Sequence, residues 1–115
     1  MADDAIDTST FRSLEEAAGA TFVSELAGTF LDEAPRMLKA LDAALAARDA
    51  EALRRTAHSL KSNALTFGAI RLAGLARELE QSAIDTVARG ERVALDTLAS
   101  EYQRVATAIT ELRNA

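Results

Sequence analysis

The sequence predicts an all-α protein: an antiparallel up-down-up-down four-helix bundle with a short extra helix at the N-terminus. Three observations lead there. Alanine and leucine dominate a chain with one proline and five glycines, a composition that favours helix over strand. Four long segments repeat apolar residues at alternating spacings of three and four, the period of one helix face. The segments are joined by short turns, so neighbours return antiparallel. At 115 residues the whole of 1–115 reads as one domain, long enough to bury a real core. No strand alternation, internal repeat or low-complexity tract interrupts the pattern.

Residues 1–9 read as a polar, mobile lead-in. Residues 10–18 form a short helix capped by Ser9 or Thr10, stopped at Gly19 and anchored by Phe11 and Leu14. A long helix follows over residues 21–47, with Val23, Leu26, Phe30, Ala34, Met37, Leu41 and Leu45 on its seam. Pro35 lies inside it, lacks an N–H and collides with the carbonyl of Leu31, which predicts a kink or, alternatively, a break into two helices. Phe22 and Leu31 widen the apolar face, either toward a partner or toward the first helix.

The third long segment spans residues 49–68. Asp49 caps it, because its carboxylate accepts from an early backbone N–H, and Gly68 stops it by entering the left-handed region. Leu53, Ala57, Leu60, Ala64 and Phe67 form its stripe. Residues 69–88 predict one further helix with Leu72, Leu75, Leu79 and Ala83 on its stripe and Ile70, Ala76 and Ile84 beside them. Gly74 inside it costs about 1 kcal/mol relative to alanine unless close helix packing compensates. Gly90 ends that helix. The last helix covers residues 91–114, with Leu95, Leu98, Tyr102, Val105, Ile109 and Leu112 facing inward.

Composition excludes several function classes. No apolar run approaches the roughly 20 residues that span a bilayer, and the acidic, polar start is not a secretory signal. There is no cysteine, hence no disulfide framework and no thiol chemistry. These points favour a cytoplasmic protein, and Met1 favours a chain that stands alone. A net charge of −5 argues against nucleic acid as the main partner. One histidine without cysteine is a poor ligand set for zinc, so no metal site is expected. No nucleophile elbow or oxyanion loop accompanies Ser59 or Ser62, and no glycine-rich phosphate loop is present. Asp32-Glu33 and Glu78/Glu80 read most simply as solvated acids.

The single histidine, His58, points roughly 140° from the centre of its helix stripe at about 100° per residue. Arg54, Arg55, Lys61 and Ser62 lie one turn away, Glu51 and Leu65 two turns away. An incidental surface residue is the commoner reading of such a histidine. An exposed imidazole among three cations nevertheless suits nucleophilic attack, because nearby positive charge favours the neutral ring and an anion attached to it.

The run AHSLKSNALTFGA, residues 57–69, resembles the signature of histidine-containing phosphotransfer (HPt) domains. That pattern is a histidine, a lysine three residues on, a small residue after it and a glycine ten residues after the histidine. Here these are His58, Lys61, Ser62 and Gly68, with serine where the family usually has glycine. The resemblance implies a phosphocarrier of a two-component phosphorelay rather than an enzyme, with no cofactor of its own. Its partners would be response-regulator receiver domains and a hybrid histidine kinase, and it would be a monomer. By the same resemblance, Nε2 of His58 takes the phosphoryl group, and the receiver brings the phosphorylated aspartate and Mg2+. Lys61 would help neutralise phosphoryl oxygens. Arg54, Arg55, Ser62 and Leu65 would face the receiver, and Gly68 would set the helix end and its packing. In some HPt domains a polar side chain of the next helix bonds the other imidazole nitrogen. Glu80 falls near that point, although a plain surface acid is an equal reading of it.

Two rivals differ in class. A histidine-kinase dimerisation fragment usually carries an acid straight after its histidine, where this chain has Ser59. A non-catalytic adaptor bundle has no use for the paired His58 and Lys61.

Overall fold

The computed structural model describes residues 5–114, which form six α-helices and no strand. They are α1 (Thr8–Ala18), α2 (Ala20–Ala46), α3 (Ala50–Thr66), α4 (Ile70–Gln81), α5 (Ala83–Arg89) and α6 (Val93–Asn114). Helices α2, α3, α4 and α6 close a ring: α2 packs on α3, α3 on α4, α4 on α6 and α6 on α2. Helix α1 lies on α2, and α5 packs on α3 and α4. At about 1.5 Å per residue, α2 is about 40 Å long, nearly the whole 44 Å of the molecule's long axis. Among the described residues no helix is long and apolar enough to cross a membrane.

The stripes read from the sequence form the core. Val23, Ala34, Leu41, Leu53, Leu60, Leu72, Leu79, Leu98, Val105 and Ile109 are all buried. Phe11, Phe67, Phe30 and Tyr102 make a chain of ring contacts, at 6.4, 5.4 and 5.9 Å between successive centroids, that ties α1, the end of α3, α2 and α6 together. Phe22 remains 54% exposed, so packing against α1 does not account for it.

Several boundaries differ from expectation, each for a local reason. Helix α1 starts earlier, capped by Asp7 rather than Ser9 or Thr10. The Asp7 carboxylate takes three bonds at once, from the backbone N–H and hydroxyl of Ser9 and the hydroxyl of Thr10, at 3.1, 2.9 and 2.9 Å. The stretch expected to be a mobile lead-in instead buries Ala5 and Ile6; residues 1–4 lie outside the described residues. Ile6 and Thr8 share a 130 Å³ cleft with Ala108, Glu111 and Leu112 near the end of α6.

Helix α2 runs unbroken through Pro35, so the alternative of two helices is not realised. The carbonyl that Pro35 leaves without a helical donor is that of Leu31, and the Tyr102 hydroxyl of α6 donates to it at 3.4 Å. Burial, then the nearby Asp32, raises the Tyr102 phenol above its ordinary value, which keeps it a donor.

The helix expected over residues 69–88 is two, interrupted at Ser82. Ser82, Asp85 and Thr86 are weak helix formers whose polar side chains compete for local bonds, and the Ser82 and Thr86 hydroxyls lie 3.2 Å apart. Beyond the break, α5 buries Ala83 and Val87 while Ile84 stays exposed. Gly74 is exposed, with open space where a Cβ would stand, so no close packing explains it. Helix α6 begins two residues late. Arg92 reaches Asp42 of α2 at 2.9 Å, and its carbonyl accepts from Asp96 N–H.

Candidate functional site

Helix α3 is fixed at both ends. At the start, the Asp49 carboxylate accepts from the backbone N–H of Ala52 at 3.0 Å. At the other end Gly68 has φ +78°, a conformation costly for residues with a Cβ. A Cβ there would stand 2.8 Å from the Thr10 Cβ and 2.9 Å from the Asp7 carbonyl oxygen. The Asp7 N–H donates to the Gly68 carbonyl at 2.8 Å. Between these ends Leu53, Ala57, Leu60 and Ala64 are buried without measurable exposure, which sets the rotation of the helix. His58 consequently faces out, with its side chain 55% exposed.

Glu80 of α4 reaches across to α3. Its Oε2 lies 2.7 Å from Nδ1 of His58, and its Oε1 2.9 Å from Nζ of Lys61. These two bonds, Lys61's the larger influence, hold the Glu80 carboxyl below its ordinary range. An ionised carboxylate can only accept. The proton in the contact therefore belongs to Nδ1, and the lone pair of the neutral ring is on Nε2.

Of the three cations that the sequence places near the ring, two are already paired. Arg54 is engaged by Glu51 through two bonds, Nε to Oε2 at 3.1 Å and Nη2 to Oε1 at 2.5 Å. The pair lowers the Glu51 carboxyl and raises the Arg54 guanidinium. Lys61 is engaged by Glu80. Arg55 has no ion-pair partner among the described residues. A cavity of about 350 Å³ opens beside the ring, lined by Arg54, Arg55, His58, Ser59 and Glu80. Lys61, Ser62 and Leu65 do not line it. Ser62 and Leu65 lie further along α3, both exposed. The sequence places Glu51 and Ser59 near His58 but gives neither a role in the site; Glu51 sits three residues before Arg54, the spacing of a helical ion pair.

A family model described as the Hpt domain matches residues 25–115. Among solved structures, the chain is similar to histidine-containing phosphotransfer protein B (HptB) of Pseudomonas aeruginosa PAO1, with 34% sequence identity and a TM-score of 0.83 over 96% of this chain and 95% of that one. No curated protein matches by sequence. With most of its length matched by the family and an exposed histidine held within the matched region, the chain belongs to the Hpt domain family.

Proposed function

We propose that this protein is the histidine phosphotransfer component of a phosphorelay, shuttling a phosphoryl group between Nε2 of His58 and the aspartate of receiver domains. The observation that carries the reading is the 2.7 Å contact between Nδ1 of His58 and Glu80. It directs the free lone pair outward on an exposed, rigid helix.

The transfer balances without any proton leaving the ring. The Nε2 lone pair forms the N–P bond as the P–O bond of the aspartyl phosphate breaks, and the aspartate departs as a carboxylate. The imidazole keeps its Nδ1 proton and gains a positive charge. That charge develops against the Glu80 carboxylate, so an acceptor already in place stabilises it without reorganisation. In the reverse direction the same charged ring is the better leaving group. Lys61 keeps Glu80 in place before transfer and can turn to the phosphoryl oxygens afterwards.

Among the described residues, the groups around His58 (Arg54, Arg55, Ser59, Lys61 and Glu80) bind and orient but do not supply the remaining catalysis. The Mg2+ that neutralises the departing carboxylate belongs to the receiver side. Arg54, Arg55, Ser62 and Leu65 form the face met by the receiver, and Gly68 acts through the helix end alone. A hybrid histidine kinase is the upstream donor. The chain works as one monomeric domain over residues 1–115 in the cytoplasm.

The test is His58→Gln. Glutamine has no nucleophilic nitrogen, so label transfer from phosphorylated receivers should fall to zero. The side chain is exposed, and stability should change by no more than about 0.5 kcal/mol. A variant that melts normally yet takes up acid-labile label would place the chemistry elsewhere.

A further inference from the structure

We infer that Arg55 is the principal phosphoryl-binding residue of the phosphorylated protein, ahead of Lys61, taking the oxygens of the group on Nε2 of His58 as a preplaced cationic ligand. The inference rests on the proposed phosphocarrier role of His58 and adds to it which side chain receives the transferred group.

Geometry separates the cations near the ring. Nδ1 is occupied by Glu80, so a phosphoryl group can only be carried on Nε2. Helical side chains lean toward the helix N-terminus, which brings the His58 ring over the turn that carries Arg54 and Arg55. The cavity beside the ring is lined by those two arginines and not by Lys61. Arg54 already spends two donors on Glu51. Lys61 is only 23% exposed and spends its ammonium on Glu80. Arg55 is exposed and lines the same cavity with no ion pair among the described residues. A guanidinium presents a planar fork of N–H donors that fits phosphoryl oxygens in pairs. Binding the phosphoryl group through Arg55 breaks no existing pair, whereas using Arg54 draws it away from Glu51 and using Lys61 leaves Glu80 held by His58 alone.

The experiment uses the intact protein and no receiver domain. Phosphoramidate supplies the group: Nε2 forms the N–P bond, the P–N bond of the zwitterionic reagent breaks, and ammonia leaves. The phosphoryl titration of the phosphohistidine is then followed by 31P NMR in the unaltered protein, Arg55→Gln, Arg55→Lys and Lys61→Gln. A cation bound to the oxygens favours the dianion, so Arg55→Gln should raise the titration midpoint by roughly half a pH unit, the range of one exposed ion pair. Arg55→Lys should restore part of the shift, and Lys61→Gln should move it less than Arg55→Gln does. An Arg55→Gln midpoint equal to that of the unaltered protein, or a larger shift for Lys61→Gln, would overturn the inference and leave the carrier role of His58 standing. Absence of any phosphohistidine signal from His58 would remove the carrier role, and this inference with it.

Discussion

Glu80 is the residue on which the site's electronic arrangement turns. Replacing it with glutamine keeps the shape and removes the charge. A charge-assisted bond to the ring becomes a neutral one of about half the strength, so transfer through His58 should slow on the order of tenfold, measured as label exchange with a receiver. Its pH dependence has a definite sign. The Glu80 carboxyl is held below its ordinary value of 4.5 by Lys61 and then His58. The stability it contributes is therefore complete above that value and is lost as pH falls through the lowered one. The difference in melting temperature between the unaltered protein and Glu80→Gln should be constant above pH 4.5 and shrink below it. A difference that grows on acidification would show that the pairing is not what holds the carboxylate. His58 was legible from its place opposite the stripe and from its register with Lys61 and Gly68. Glu80 stood level with a surface acid, because a contact 22 residues away depends on how α4 is turned against α3, which no local pattern contains.

Among the elements, the four long helices were readable because each carries its own burial pattern, which the packed bundle then satisfies. What escaped the sequence were interruptions decided by single polar bonds, such as the Ser82 break and the Asp7 cap. The opposite case is α2, which stays whole across a proline. Pro35 removes the donor for the Leu31 carbonyl, and the Tyr102 hydroxyl stands in from another helix. Tyr102→Phe should cost about 0.5–1.5 kcal/mol by urea unfolding. In a Pro35→Ala background the cost should be smaller, because the restored N–H can take the carbonyl. A double-mutant cycle reads the coupling directly, and equal costs in both backgrounds would show that the hydroxyl does not replace the missing donor.

For the whole molecule, the start of the α1 segment is joined to the α3–α4 corner at Gly68. Gly68→Ala would place a methyl carbon inside contact distance of Thr10 and Asp7 and force a left-handed conformation on a residue that pays roughly 1–2 kcal/mol to adopt it. The expected loss is at least about 1 kcal/mol in thermal melting, with amide exchange quickened first along α1. Loss confined to α4 would show that the corner does not hold α1. The sequence marked Gly68 as a helix stop. That it is also a seat for the chain's beginning was not readable, because the residues it seats lie some sixty positions earlier and look polar.

The cleft shared by Ile6, Thr8, Ala108, Glu111 and Leu112 brings the first and last described helices to one end of the bundle. The turn between α5 and α6 lies at the other end, where Gly90 and Arg92 border the last residues of α2. Between residues 5 and 114 the described backbone is thus nearly a closed circuit. A bridge joining those two residues would complete the circle, and the path could be reopened at the Gly90 turn without cutting α3. The order in which the helices are written along the gene is separable from the surface that His58 occupies.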